Sequence, residues 1–102
     1  MLLEEFAVAL ELRRGNYDGA LRRVDQAMSR LPRKELWYVR RAEIMEKAGR
    51  PSLALEAYGQ ALKSIEQLPP ARRNVRAIKG LQSSIQSAMA KLVPNKAEAP
   101  QP

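Results

Sequence analysis

The sequence predicts an all-α fold of five helices joined by short connections. Apolar residues recur at intervals of three and four positions, and no segment shows the sustained alternation that is typical of a strand. Glycine and proline residues interrupt this pattern and mark the turns. The chain also aligns with itself after a shift of 34 residues, which is a period typical of helical-hairpin repeats.

The first four helices are predicted as two pairs. Apolar positions follow helical spacing over residues 3–10 and 20–31, on either side of Gly15. The same spacing returns over residues 36–48 and 51–65, on either side of a second glycine. A glycine between two helices permits the left-handed backbone of a tight turn, so each pair is expected to form a hairpin.

The fifth helix is predicted to begin near Pro70 and to continue to Leu92, with apolar residues three and four positions apart. Gly80 lies inside this stretch, where a glycine costs about 1 kcal/mol relative to alanine, but we expect the helix to be continuous. Residues 94–102 consist mainly of proline, alanine and charged residues and are predicted to be a disordered tail.

These elements form one predicted domain over residues 1–93. The self-alignment places one repeat at 1–34 and a second at 35–68, and it leaves the fifth helix at 69–93 outside the repeats. It pairs Gly15 with Gly49 and sets alanines against alanines at the positions where the two helices of a hairpin approach closely. A helix, a glycine turn and a second helix in each period predict a helical solenoid.

At this point the chain resembles the tetratricopeptide repeat (TPR) family. The residues that carry the resemblance are Gly15, Tyr17, Ala20, Val24, Ala27 and Pro32 in the first repeat, and Tyr38, Ala42, Met45, Gly49, Ala54, Tyr58 and Ala61 in the second. The sequence departs from the family pattern at Arg41, Pro51 and Glu66. The resemblance implies a right-handed helical-hairpin solenoid of five antiparallel helices, namely two TPR-like pairs and a capping helix.

The resemblance also implies a scaffold function, in which a peptide or partner protein binds in a concave groove lined by the first helix of each repeat. The corresponding positions are Leu2, Glu5, Ala9, Leu12 and Arg13, then Leu36, Val39, Arg40, Glu43 and Lys47, then Arg73, Asn74 and Ala77. Apolar side chains beside arginines would suit a short apolar and acidic segment, because the guanidinium pairs bidentately with carboxylates. The alternative is that these are ordinary exposed positions.

Some TPR domains hold the C-terminal carboxylate of chaperones in a clamp of lysine and asparagine side chains. The corresponding positions here are Glu5, Ala9, Arg40, Pro70 and Asn74. Only Arg40 and Asn74 could serve such a clamp, and Glu5 would repel a carboxylate. The sequence therefore argues against a chaperone-tail clamp.

The net charge of +7 is concentrated near the C-terminus, since residues 69–102 carry six basic side chains and one acidic side chain. A possible anion patch comprises Arg72, Arg73, Arg76 and Lys79. Phosphate-driven binding of nucleic acid or another polyanion is therefore an alternative function. The predicted fifth helix has no aromatic side chain for base stacking, which disfavours nucleic acid, and a solvated helix face would look the same.

The composition argues against an enzyme. The 102 residues include no cysteine and no histidine, so thiolate metal sites and the commonest general base are missing. Ser83, Ser84 and Ser87 have no base nearby and are interpreted as exposed helix surface. We therefore expect no catalytic residues, no metal and no cofactor.

Three further expectations concern exposure, association and location. Trp37 and Tyr38 point about 100° apart on a helix, and we expect Tyr38 in the core and Trp37 partly exposed. Two repeats are fewer than the number that is usually stable, so self-association or membership of a longer solenoid is a structural alternative. The absence of a signal-like or membrane-spanning stretch predicts a cytoplasmic protein without a membrane partner, and the excess of arginine over lysine favours a bacterial source.

Overall fold

A computed structural model describes residues 3–93, and over these residues the chain is all-α. Six helices follow one another in this part of the chain: α1 (Leu3–Arg13), α2 (Tyr17–Arg30), α3 (Lys34–Lys47), α4 (Pro51–Glu66), α5 (Pro70–Arg73) and α6 (Arg76–Leu92). None of the described helices combines the length and the apolar character needed to cross a membrane. The predicted groove residue Leu2 and the predicted tail at 94–102 lie outside the described residues.

The expectation of a single fifth helix was wrong, because residues 70–92 form two helices. Asn74 ends α5 with its N–H donating to the Pro70 carbonyl, and the extended backbone of Val75 then begins α6. Arg73 also donates to the carbonyl of Glu66 at 3.0 Å, which holds α5 against the end of α4. Gly80 does not break α6, as expected.

The turns of the two hairpins have the predicted chemistry. Gly15 and Gly49 adopt left-handed φ values of 71° and 74°. Asn16 caps α2, since its side-chain oxygen accepts the N–H of Gly19 at 3.0 Å. Pro51 occupies the start of α4, where its missing N–H removes no helical hydrogen bond. Because the connections at 14–16 and 48–50 are short, the helices of each packed pair run antiparallel.

Replacing Asn16 by alanine is expected to lower the free energy of unfolding by about 1 kcal/mol, because the N–H of Gly19 would lose its acceptor. Urea denaturation followed by circular dichroism measures the change. Asn16→Ser keeps a capping oxygen and should remain close to wild type. Equal stability of the alanine variant and wild type would contradict the assigned cap.

Two groups of buried side chains form the core, and α3 contributes to both. The N-terminal cluster comprises Val8, Ala20, Val24, Ala27, Trp37 and Ile44. The C-terminal cluster comprises Ala42, Ala57, Tyr58, Ala61, Ile65, Ile78 and Ile85. Packing runs in chain order, with α1 on α2, α2 on α3, α3 on α4 and α4 on α6.

The expected exposure of Trp37 and Tyr38 was wrong. Trp37 is 5% exposed in the N-terminal cluster, whereas Tyr38 is only partly buried and packs against the C-terminal cluster. The cause is the position of α3 between two layers, which buries both of its faces. Trp37 and Ile44, seven residues apart, face α1 and α2 and leave Tyr38 and Ala42 to the other side.

Arg41, one of the departures from the family pattern, lies at the contact between α2 and α3. Its guanidinium donates to Asp25 at 2.7 Å, and its side chain keeps 29% of its surface exposed. One guanidinium nitrogen of Arg41 thus pairs with Asp25, whereas its Nε is buried and has no hydrogen-bond partner among the described residues. A second ion pair, between Glu4 and Arg30, links α1 with α2.

Candidate functional site

A cavity of about 340 Å³ opens between α1 and α3 and contains much of the predicted groove. Val8 and Leu12, four residues apart on α1, form one wall. The lining residues of α3 are Arg40, Glu43, Ile44, Glu46 and Lys47. Four of the predicted residues, Leu12, Arg40, Glu43 and Lys47, are thus brought together.

A second cavity, of about 440 Å³, adjoins the first at Arg40 and has a largely apolar lining. Its residues are Glu5, Leu31, Pro32, Arg33, Leu36, Trp37 and Arg40. Glu5 and Leu36 were predicted for the groove, but the contribution of the α2–α3 connection was not. The backbone of Leu31 is extended, as favoured before proline, and the left-handed Arg33 then starts α3, so this connection forms a wall. The Leu31-Pro32 pair was the sequence signal that could have indicated it.

A third cavity, of about 520 Å³, lies between α3 and α6. Its lining residues are Glu46, Ser83, Ser84, Ser87, Ala88 and Lys91. The serines are exposed, as expected, but they face this cavity together with Glu46, which also lines the first one. The sequence did not predict that these serines line a cavity, because they were considered only as catalytic residues and have no base nearby.

The structure does not bring the predicted groove residues Arg73, Asn74 and Ala77 to these three cavities. The prediction assumed a helix that starts at Pro70, whereas the long helix begins only at Arg76. The stretch of α6 that faces α3 therefore lies further along the chain.

Two predicted residues of α1 and one of α3 also lie elsewhere. Ala9 and Arg13 line a separate cavity of about 180 Å³ with Phe6 and Leu10, on the side of α1 away from the buried Val8. Val39 packs against the C-terminal cluster instead of lining a cavity. The apolar residues of α1 lie all around the helix, so their spacing does not reveal which face is buried.

Arg40 crosses the boundary between the first two cavities and is held by two carboxylates. Its guanidinium donates to Glu5 at 3.1 Å and to Glu43 at 3.0 Å, so it links α1 with α3. Burial alone would lower the pKa of Arg40, but the hydrogen bonds with Glu43 and Glu5 outweigh it and raise the pKa. Arg40 is therefore a firmly held cation that uses two of its N–H donors within the chain and keeps 46% of its side chain exposed.

The other charged side chains that line the first and third cavities are Glu43, Glu46, Lys47 and Lys91. Tyr58 donates a hydrogen bond to Glu46, and burial together with this bond raises the pKa of the Tyr58 hydroxyl. Lys47 and Lys91 are exposed, and neither forms an ion pair with a carboxylate among residues 3–93. Lys47 in the first cavity and Lys91 in the third therefore carry positive charge that no described carboxylate pairs.

The possible anion patch is divided between two helices. Arg72 and Arg73 lie on α5, and Arg76 and Lys79 lie on α6 beyond the break at Asn74. Arg73 is partly buried and donates to the Glu66 carbonyl, whereas the other three side chains are exposed. The patch thus consists of three exposed cations and of Arg73, which also stabilises the connection between α4 and α5.

Neither side-chain clustering nor similarity assigns a chemistry to these cavities. Within the described part of the chain, no three carboxylates or other metal-ligating side chains come close enough together to hold a metal ion. The chain is not significantly similar to any protein-family model, curated protein or solved structure in the comparisons made.

Proposed function

We propose that this chain is a non-catalytic interaction module that binds a peptide or a segment of a partner protein. The binding surface is the groove, which we define as the three adjoining cavities along α3. The observation that carries the proposal is that neighbouring cavities share a lining residue, since Arg40 lines both the second and the first cavity and Glu46 lines both the first and the third. A row of adjoining cavities along one helix suits an extended chain better than a compact small molecule.

The proposal includes a TPR-like architecture, a right-handed solenoid of helical hairpins closed by α6. It is supported by the 34-residue repeat, by the left-handed glycine at each hairpin turn and by the packing of helices in chain order. In such an array the first helices of successive hairpins lie side by side, and their shared surface is the groove. The cytoplasmic location and bacterial source remain predictions of the sequence.

The sequence predicted a partner segment that is partly acidic, but Arg40 alone would contribute little to binding a partner carboxylate. A carboxylate of the partner would compete with Glu5 and Glu43 for this guanidinium, because both already accept its hydrogen bonds. Exposed ion pairs contribute only about 0–1 kcal/mol each, so such an exchange would add little affinity. The partner's apolar side chains are therefore expected to supply most of the binding free energy.

Selection of groove-binding peptides from a random peptide library tests the proposal. Leu36→Ser in the second cavity is expected to weaken the selected peptides about tenfold or more, because an apolar contact is lost. Leu53→Ser is the matched control, since Leu53 lies exposed on α4 and lines no part of the groove. If both variants lose peptide affinity equally, or if neither loses any, the proposal is overturned. Thermal unfolding confirms that both variants fold.

A second candidate function, self-association, is favoured by the outer face of α1. Leu3, Phe6 and Leu10 are 78%, 57% and 39% exposed and lie at helical spacing on one face. The outward side of α6, with Arg76 and Lys79, is polar by contrast. Terminal repeats of a solenoid need a polar outer face for solubility, so the face of α1 resembles an unpaired internal surface.

We expect the chain to associate weakly and reversibly through this face. Three side chains expose much less area than the roughly 800 Å² per partner of a standard interface. Sedimentation equilibrium should show a mass that rises with protein concentration, and Phe6→Ser should abolish the rise. Val75→Ser, at an exposed position just before α6, should leave it unchanged. A concentration-independent monomer mass for the wild-type chain would exclude this candidate.

A further inference from the structure

The groove has chemically different ends. At one end, Leu31, Leu36 and Trp37 give the second cavity its apolar walls. At the other end, the third cavity has serine hydroxyls and Lys91, and Lys47 lines the adjoining first cavity from the last turn of α3. A ligand that follows the groove therefore passes from an apolar pocket to a set of hydrogen-bond donors.

The two ends of the groove also differ in how their charged side chains are paired. Arg33 lies 3.6 Å from the buried carboxylate of Glu35, and Arg40 is held by Glu5 and Glu43. Arg40 is therefore held by hydrogen bonds, whereas Arg33 stays half exposed and forms only the longer ion pair.

At the donor-rich end, Glu46 accepts the hydroxyl hydrogen of Tyr58. Lys47 and Lys91 have no carboxylate within ion-pair distance among residues 3–93. Lys47 and Lys91 thus line the groove without a described carboxylate partner, and the hydroxyls of Ser84 and Ser87 can donate beside Lys91.

The length of α3 sets the spacing between the two ends. Leu36 and Lys47 are eleven residues apart on one helix, which corresponds to about 16 Å at 1.5 Å per residue. An extended peptide advances about 3.3 Å per residue, so about five residues span this distance.

We propose that the groove recognises an extended segment in which a bulky apolar residue and an acidic residue lie about five positions apart. The apolar side chain enters the second cavity against Leu36 and Trp37, and the carboxylate pairs with Lys47 and Lys91. This inference rests on the proposed function, because it requires the groove to bind a peptide.

Synthetic decapeptides test the spacing directly. Each carries one leucine and one glutamate, two, five or eight positions apart and in both orders, in an uncharged background. Fluorescence anisotropy should show the tightest binding for one order of the five-residue spacing. Glutamine in place of its glutamate is expected to weaken binding at least about threefold, because the charge attraction is lost.

Charge reversal assigns the acidic end. The double variant Lys47→Glu with Lys91→Glu should no longer bind the peptide that carries glutamate. It should bind the same peptide with lysine in place of glutamate more tightly than wild type does. The matched control is Lys34→Glu with Lys63→Glu, at exposed positions outside the three cavities. This control should leave the preference for the glutamate peptide unchanged, and circular dichroism checks the fold of each variant.

The outcomes separate this inference from the function on which it rests. Equal binding of all spacings, or a preference that Lys47→Glu with Lys91→Glu does not reverse, overturns the inference. If Leu36→Ser still weakens library-selected peptides, the proposed function stands without it. If neither designed nor selected peptides depend on the groove, both are overturned.

Discussion

Replacing Ile85 by alanine lowers the free energy of unfolding by about 2–5 kcal/mol, the range typical of a fully buried isoleucine. Ile85 is 1% exposed and belongs to the C-terminal cluster, which also contains Ile65 and Tyr58 of α4. Removing its side chain leaves a cavity between α6 and α4 and loses the burial of several methyl groups. Because domains of this size are stable by only about 5–15 kcal/mol, the loss is a large share of the total.

Urea denaturation followed by far-UV circular dichroism measures this change, and Gln86→Ala is its control. Gln86 is exposed and adjacent to Ile85 on α6, so its replacement should alter the unfolding midpoint little. If Ile85→Ala unfolds at the wild-type midpoint, α6 does not cover α4. That result would contradict the position of the third cavity as well.

The Ile85→Ala replacement is also expected to weaken peptide binding. Glu46 of α3 faces the serines of α6 across the third cavity, and the packing of α6 on α4 holds this arrangement. A variant with a loosened α6 should therefore bind the five-residue-spaced peptide more weakly, even under conditions where most molecules are folded. In this protein the capping helix would thus contribute to both stability and the donor-rich end of the groove.

The parts of the fold that the sequence predicted depend on local signals. Gly15 and Gly49 have the expected left-handed backbone, and Pro51 begins α4, because turn and cap chemistry act over a few residues. The break at Asn74 was missed because it precedes the regularly spaced apolar residues, which begin at Ile78, so their spacing carries no information on residues 70–77. The hydrogen bond from Arg73 to the Glu66 carbonyl also holds α5 in place, and it was not predictable from local sequence because Glu66 belongs to the preceding helix.

The groove was predicted in part for a similar reason. Arg40, Glu43 and Lys47 share one face of α3, and helical periodicity alone brings them together. By contrast, Ala9 and Arg13 were assigned to the groove although they lie on the outer side of α1. Which face of α1 is buried depends on its packing against α2, and this tertiary information is not present in the spacing of apolar residues.

Trp37→Ala is expected to lower the free energy of unfolding by about 3–5 kcal/mol, the usual cost of truncating a buried large aromatic side chain. Trp37 is 5% exposed and contacts the N-terminal cluster from α3. Circular dichroism is the appropriate measurement, because the replacement removes the only tryptophan of the chain. Tyr38→Ala is the matched comparison and should cost less, since Tyr38 is only partly buried.

The comparison of these two neighbours tests the rotation of α3. If Tyr38→Ala destabilised the protein more than Trp37→Ala, the two side chains would exchange roles, which corresponds to a rotation of the helix by about 100°. The same rotation would move Arg40, Glu43 and Lys47 away from α1, so the first cavity could not exist as described. Two stability measurements therefore decide whether α3 presents to a partner the face on which the groove depends.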